Sequence, residues 1–267
     1  MKSRFMLSVM FLLAIVSSGV LASSTEFPGR EIYPAVKIIE TAELKQSFDN
    51  TVIVDVRSKY EYETLRIKNA LNIPLTSANY VTEMRKLANT NKTIVVYCNG
   101  RTCMKSYKAE VKARRHGVKN IKVYDAGVMD WAKVYPKQSS LLGVSPLNPD
   151  SLISKNRFTE HLLAPGKFAK MALEKGVEVI DVRDPLQRMG MGLFIGIEKA
   201  VALDNVRKLN AYIKQAAQKG KTILIYDETG KQVRWLMYRL AANGLKNFYF
   251  MKGGTRGYFK ELKKRLK

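Results

Sequence analysis

The chain has 267 residues, 46% of them hydrophobic, with 46 Lys and Arg against 23 Asp and Glu, two cysteines and two histidines. That length suits two globular domains at a prior of roughly 150 residues each, and the ordinary hydrophobic fraction excludes wholesale disorder despite the formal charge of +23. Two cysteines exclude a disulfide framework, and the usual Cys/His zinc site is excluded too, because neither His116 nor His161 stands at ligand spacing from Cys98 and Cys103.

The first feature along the chain is a basic start (Lys2, Arg4), an apolar run from Phe5 to Val16 and then Ser-Ser-Gly-Val-Leu-Ala, with small residues at Val20 and Ala22. This is the pattern of a secretory signal over 1–22, with cleavage expected after Ala22. The apolar run is short for a bilayer span, and no cysteine follows to carry a lipid anchor. An uncleaved anchor helix is the alternative. The remainder is expected to work in the periplasm or outside the cell, an oxidising place where two nearby thiols tend to pair.

A first unit is expected over 32–136. Its strands are predicted at 52–55, 93–97 and 121–124, with helices near 41–48, 77–87, 105–116 and 128–134. The apolar runs do not alternate with polar residues, which indicates strands covered on both faces. Strand and helix then alternate, giving an α/β fold with a mostly parallel sheet and right-handed crossovers. A Ser/Gly/Pro-containing linker is expected over 137–148 and a second unit over 149–267. The second unit repeats the first. Val52-Ile53-Val54-Asp55-Val56-Arg57 recurs as Glu178-Val179-Ile180-Asp181-Val182-Arg183 and Thr93-Ile94-Val95-Val96-Tyr97 as Thr222-Ile223-Leu224-Ile225-Tyr226. Val118-Lys119-Asn120 with Gly127 recurs as Leu245-Lys246-Asn247 with Gly254. These three collinear matches are offset by 126, 129 and 127 residues. Ligands of such sheets sit beyond the carboxyl ends of the strands, which directs attention to the segments just after Tyr97 and Tyr226.

After Tyr97 comes Cys98-Asn99-Gly100-Arg101-Thr102-Cys103, and Met104-Lys105-Ser106 then opens a helix. A cysteine between a buried strand and a helix N-terminus is surrounded by backbone N–H groups. Those donors and the helix dipole favour the anion, so the thiol is expected to have a depressed pKa and a nucleophilic sulfur. Arg101 and Lys105 are expected to add positive charge there, so that a small anion can dock and be attacked.

Asp55-Val56-Arg57, Glu61-Tyr62, Arg66-Ile67, Ala70, Asn72-Ile73-Pro74, the Cys98 loop and Ala126-Gly127-Val128 with Trp131 together resemble the rhodanese (sulfurtransferase) family. The second unit resembles it too. The resemblance implies two rhodanese-like domains, each a mostly parallel five-stranded sheet flanked by helices. It also implies a catalytic Cys98 that takes sulfane sulfur from a donor such as thiosulfate and passes it, as a persulfide, to cyanide or a thiol, with no metal or cofactor. Asn99, Gly100, Arg101, Thr102 and Cys103 match the rest of a six-residue active loop, and Lys105 follows it. Related phosphatases and arsenate reductases have a longer loop with an arginine where this chain has Met104, which disfavours that chemistry. Asp55 and Arg57 match an early Asp-x-Arg that ties the fold together near the loop, and Gly127 and Trp131 are read as turn and packing residues.

Two departures stand out. The family often has Gly-His-Ile-x-Gly-Ala where this chain has Leu65-Arg66-Ile67-Lys68-Asn69-Ala70, and Cys103 stands where many members have Ser or Thr. Cys103 then has two readings: a resolving or sulfur-accepting thiol that pairs reversibly with Cys98, or a small loop residue in place of serine.

In the second unit Asp227 replaces the cysteine, within Asp227-Glu228-Thr229-Gly230-Lys231-Gln232. A carboxylate cannot carry sulfane sulfur, so this unit is read as catalytically silent, covering one side of the first. Thr229-Gly230-Lys231 lacks the remaining positions of a phosphate loop. The apolar insertion Met189-Gly190-Met191-Gly192-Leu193-Phe194 is expected to pack at the domain interface, with a partner contact as the alternative. Basic residues at Lys105, Lys108, Lys112, Arg114 and Arg115 and in the tail at 260–267 read as solvated faces, the first also drawing anions to the loop. The expected partners are a small anionic sulfur donor and a thiol or protein acceptor, with weak contact to an anionic envelope surface as an outlet for the remaining charge. Nucleic acid is not expected, since no aromatic-studded binding motif is present. A sulfur or oxyanion carrier with little turnover, and a thiol-disulfide protein using Cys98 and Cys103, are the alternative functions.

Overall fold

The computed structural model describes residues 26–189 and 192–266. The expected signal at 1–22, with its cleavage point after Ala22, lies outside them, as do Gly190 and Met191 of the apolar insertion. Among the described residues no helix is long and apolar enough to cross a membrane.

The first domain runs through α1 (Pro28–Ile32), α2 (Thr41–Gln46), β1 (Thr51–Asp55), α3 (Lys59–Thr64), β2 (Leu65–Ile67), β3 (Leu71–Asn72), α4 (Tyr80–Ala88), β4 (Thr93–Tyr97), α5 (Lys105–Arg115), β5 (Ile121–Tyr124), α6 (Gly127–Val134) and β6 (Ser139–Leu141). The apolar runs at 52–55, 93–97 and 121–124 are the core of a parallel sheet in the order β3-β1-β4-β5. Ile53, Val54, Ile94, Val95, Val96 and Val123 are all buried, as a sheet covered by helices on both faces requires. The register sets Asp55 beside Tyr97 and Tyr97 beside Tyr124, so three strands end level where the Cys98 loop begins. This sheet has four strands where five were expected. The fifth place is held by one parallel bridge between Ile38 and Val123, because the Val36 N–H closes a turn on the Tyr33 carbonyl before it and α2 starts at Thr41 after it.

β2 and β6 form a separate antiparallel pair, so part of the expected linker at 137–148 is ordered against the first domain. The turn after β2 explains one departure from the family pattern. Asn69, at the family's glycine position, has φ +63°, a left-handed conformation that asparagine tolerates better than most residues. Trp131 is fully buried and stacks on Phe48 at 5.5 Å between ring centroids, with Tyr124 meeting it edge-on at 5.8 Å.

The second domain comprises α7 (Lys155–Glu160), β7 (Leu162–Leu163), α8 (Pro165–Met171), β8 (Val177–Asp181), β9 (Glu198–Ala200), α9 (Val206–Gln218), β10 (Thr222–Tyr226), α10 (Val233–Ala242), β11 (Phe248–Met251) and α11 (Gly254–Arg265). Its five parallel strands lie in the order β7-β11-β10-β8-β9, and β8, β10 and β11 are the repeats of β1, β4 and β5. The described residues of the apolar insertion do not pack at the domain interface. Phe194 is buried against Phe168 and Tyr226 in the second domain's own core, drawn there by the Leu193 N–H donating to the Tyr226 hydroxyl at 3.2 Å, while Met189 is 83% exposed.

The two domains meet through α10, which packs on α3. Trp235 and Tyr238 of α10 are buried in one cluster with Tyr60 and Leu65. The Tyr238 hydroxyl accepts the Ile153 N–H at 3.1 Å, and Arg234 donates to the Ile153 carbonyl at 3.1 Å. The Arg239 guanidinium lies 5.3 Å from the Tyr60 ring centroid.

Candidate active site

Cys98 follows the last residue of β4 and is fully buried. Its carbonyl accepts the N–H of Val128 in the first turn of α6 at 3.0 Å. That closeness needs glycine next door. Gly127 has φ +71°, and a Cβ there would stand 2.5 Å from the Gly100 nitrogen and 2.7 Å from the Cys98 oxygen.

Within the loop, the Cys103 N–H donates to the Gly100 carbonyl at 2.8 Å, closing a tight turn. This turn brings Cys103 back onto Cys98, and the two form a disulfide with their Cα atoms 6.4 Å apart, inside the usual span for such a bond. The Cys98 sulfur also touches the Cys103 carbonyl oxygen at 3.3 Å and the hydroxyl of buried Ser106 at 3.5 Å. Ser106 sits in the first turn of α5, so strand end, loop end and helix start converge on one sulfur. Cys103 itself is partly exposed.

Asp55 and Arg57, both fully buried, form the support beneath the loop. The Arg57 backbone N–H and Nε each donate to Asp55 Oδ1 at 2.9 Å, and Nη2 donates to Oδ2 at 2.6 Å and to the Leu65 carbonyl at 2.5 Å. Burial penalises the Arg57 charge, but the adjacent Asp55 carboxylate outweighs it and holds the guanidinium above its ordinary pKa. Arg57 Nη1 then donates to Asn99 Oδ1 at 3.1 Å, and Asn99 Nδ2 donates to Glu61 Oε1 at 2.9 Å. Glu61 closes a capping box with Ser58 at the start of α3 and pairs with Lys105 at 3.4 Å. Burial pushes the Glu61 carboxyl up, yet Arg57, Lys105 and the Asn99 amide together hold it below the ordinary carboxylate range. One continuous chain of polar contacts, Asp55 to Arg57 to Asn99 to Glu61 to Lys105, therefore fixes both ends of the loop.

The two cations expected to charge the loop are already matched by carboxylates. Arg101 turns outward, donates to Asp130 at 2.6 Å, pairs with Glu26 and lies 5.2 Å from the Phe27 ring centroid. Lys105 faces Glu61. Thr102 is exposed on the rim. Beyond the loop opens a cleft of about 530 Å³, bounded by Cys103 and its loop neighbours, by Met129 and Lys133 of α6, and by the Leu152–Lys155 segment with Arg234.

Sequence reasoning assigns no role at the site to four of these contributors. The role of Glu61 was readable, since Ser58-Lys59-Tyr60-Glu61 has the capping-box spacing. Ser106 follows from its place in the first turn of α5. Arg234 and Trp235 carry no local signal, because their contacts are made across the domain boundary. The Trp235 indole lies 4.9 Å from the Arg57 guanidinium carbon and seals the buried support from the second domain's side.

The second loop has the same framework. Asp181 and Arg183 repeat the buried pair, and the Asp227 carbonyl accepts the Thr255 N–H at 2.9 Å as that of Cys98 accepts Val128. The Asp227 side chain, however, turns into its own loop. Its carboxylate accepts backbone N–H groups from Thr229 at 3.0 Å, Gly230, Gln232 at 2.7 Å and Val233 at 3.1 Å. Burial pushes this carboxyl up, and the four donors offset only part of that, so it stays above the ordinary carboxylate range.

The rhodanese-like domain family model matches residues 40–134 and again 164–261. Among curated relatives, the tRNA uridine(34) hydroxylase of Photorhabdus laumondii is 31% identical over 102 residues, covering 36% of this chain and 28% of that protein. The enzyme of the same name from Pelagibacter ubique is 32% identical over 117 residues, 43% of this chain and 37% of its own. The chain thus spans about a quarter to just over a third of the length of these curated relatives. Among solved structures, the thiosulfate sulfurtransferase of Pseudomonas aeruginosa aligns with 84% of this chain and 44% of its own at 19% identity and a TM-score of 0.37. A single-domain sulfurtransferase from Saccharomyces cerevisiae covers 38% of this chain and 91% of its own at 20% identity and a TM-score of 0.32. The two matched segments take in β1 to β5 and β8 to β11 with both strand-end loops, and the chain belongs to the rhodanese-like domain family, with two copies in tandem.

Proposed function

We propose that the protein is a sulfurtransferase that takes sulfane sulfur from thiosulfate, or a similar small anionic donor, onto Cys98 and passes it to a thiophilic acceptor. One observation carries this reading. The second loop grips the side chain at its strand-end position, Asp227, with four backbone N–H groups, and the first domain has a cysteine at the corresponding place. A loop of this kind turns backbone N–H donors toward an anion, and the anions a cysteine offers are thiolate and persulfide.

The Cys98 thiolate attacks the outer sulfur of thiosulfate. The S–S bond of the donor breaks, sulfite leaves with the electron pair, and a Cys98 persulfide remains until an acceptor takes its outer sulfur. Asp55, Arg57, Asn99 and Glu61 act as positioning residues that hold the loop. The second domain is silent in this reading, because Asp227 cannot carry sulfur and its carboxylate fills the anion site; it serves instead by covering Arg57 with Trp235. Nucleic acid has no part in this reading. The signal-like pattern over 1–22 supports work outside the cytoplasm, and a disulfide between Cys98 and Cys103 suits an oxidising compartment.

The test is thiocyanate formation from thiosulfate and cyanide by the reduced protein. Turnover is expected, together with release of about one equivalent of sulfite per chain after thiosulfate alone. Cys98→Ala is expected to abolish both. A wild-type protein showing neither would reject sulfur transfer, and turnover surviving in Cys98→Ala would reject Cys98 as the nucleophile.

A further inference from the structure

We propose that Cys103 is a resolving thiol that discharges the Cys98 persulfide within the same loop, so that the protein reduces sulfane sulfur to sulfide and ends each such cycle as the Cys98–Cys103 disulfide. This inference rests on the sulfurtransferase reading and extends it to a second half-reaction.

Three observations converge. The turn closed by the Cys103 N–H on the Gly100 carbonyl at 2.8 Å directs Cys103 back over Cys98, and the two sulfurs are bonded. The bonded sulfur of Cys98 is the inner sulfur of a persulfide, so the disulfide is the product that attack at that atom yields. Finally, the two cysteines differ in access. Cys98 is fully buried, whereas Cys103 is partly exposed and lines the cleft of about 530 Å³.

The balance is closed by the two thiols. The Cys103 sulfur attacks Cys98 Sγ and a new bond forms between them. The bond from Cys98 Sγ to the outer sulfur breaks, and its electron pair leaves on that sulfur, which takes the Cys103 proton and departs as hydrosulfide. The sulfane sulfur gains two electrons and the two cysteines lose them. An external dithiol restores the pair. Access directs its attack to Cys103 from the cleft, the Cys98 thiolate leaves into its loop, and the second thiol of the reductant releases Cys103 while closing its own disulfide.

In this scheme the oxidised protein is shut, because Cys98 is covered and its sulfur is bonded to that of the resolving residue. A donor is accepted only after reduction.

The experiment is a single turnover under anaerobic conditions. Reduced protein, freed of reductant, is mixed with thiosulfate, and sulfite, sulfide, free thiols and intact mass are followed. The expected result is about one equivalent each of sulfite and sulfide per chain, loss of both free thiols, and a rate independent of protein concentration. Cys103→Ser, and independently Cys103→Ala, is expected to release sulfite, keep the added mass of about 32 Da and release less than a tenth of the wild-type sulfide. Sulfite without sulfide from the wild type overturns this inference alone, as does sulfide release by both variants at the wild-type rate. Absence of sulfite and of the mass gain overturns it together with the sulfurtransferase reading.

Discussion

Replacing Glu61 by glutamine tests the polar support of the loop most directly. Glu61 is 3% exposed. Its Oε2 accepts the Ser58 N–H at 3.2 Å and the Ser58 hydroxyl at 3.0 Å, with Lys105 at 3.4 Å, and its Oε1 accepts the Asn99 amide at 2.9 Å. Glutamine keeps the shape but has one acceptor oxygen. Its amide nitrogen must face either Ser58 or Asn99, so at least one donor loses its partner. A hydrogen bond to a charged group is worth about 1.5–3 kcal/mol, and the half-exposed Lys105 pair adds less than about 1 kcal/mol. The expected loss is therefore about 2–3 kcal/mol at neutral pH.

The pH dependence has a definite sign. Glu61 is held below its ordinary pKa in the fold, so its contribution is fully present above the unfolded value of about 4.3 and drains away as pH falls through the lower, folded value. The variant has nothing to titrate at this position. The gap between wild type and Glu61→Gln should be constant through neutral pH and narrow below about pH 4. Urea unfolding at neutral and acid pH measures it. A gap of the same size at both, or a variant as stable as the wild type at neutral pH, would refute the reasoning.

Two further predictions concern the second domain. Trp235→Ala removes a buried indole that covers Arg57, and truncations of this kind cost about 3–5 kcal/mol; a denaturation midpoint within experimental error of the wild type would show that the interface contributes little. Asp227→Ala removes the common acceptor of four backbone N–H groups, and formate, the lost carboxylate as a free ion, is expected to raise the melting temperature of the variant but not of the wild type. Equal midpoints of the variant in formate and chloride would show that this loop does not hold an anion.

The parts of the fold legible in the sequence are those whose physics is local. The runs at 93–97 and 121–124 match β4 and β5 to the residue, because buried β-branched segments bounded by turns have few alternatives. The helix expected from residue 77 begins at Tyr80, since Ser77 first closes a turn on Pro74 and then accepts the Asn79 N–H. β2, β3, β6, β7 and β9 are two or three residues long and carry no signal of their own. No period can be read from so short a segment, and each exists through a partner distant in the chain, as β2 does through β6. The same division holds at the site. The Cys98 loop and the Asp55–Arg57 pair are contiguous motifs, whereas the cover supplied by Trp235 and the outward pairing of Arg101 depend on residues brought together by folding.

The two copies of the loop act as controls for each other. Each has an Asp-x-Arg pair bonded in the same way, and each closes the carbonyl at the strand end on the first turn of the helix that follows the neighbouring strand, α6 or α11. What differs is the tie between support and loop. In the first domain Arg57 reaches Asn99, so the buried cation fixes the residue after the cysteine. In the second, Arg183 turns to the Gln187 carbonyl at 3.4 Å, and Glu228, the counterpart of Asn99, bonds Thr255 and Arg256 instead. That loop needs no such tie, because a carboxylate held by four N–H groups is part of the chain and never leaves. In the proposed transfer the first loop's anion arrives, reacts and departs, so that loop must keep its shape between those states, and the Arg57–Asn99–Glu61 chain holds it.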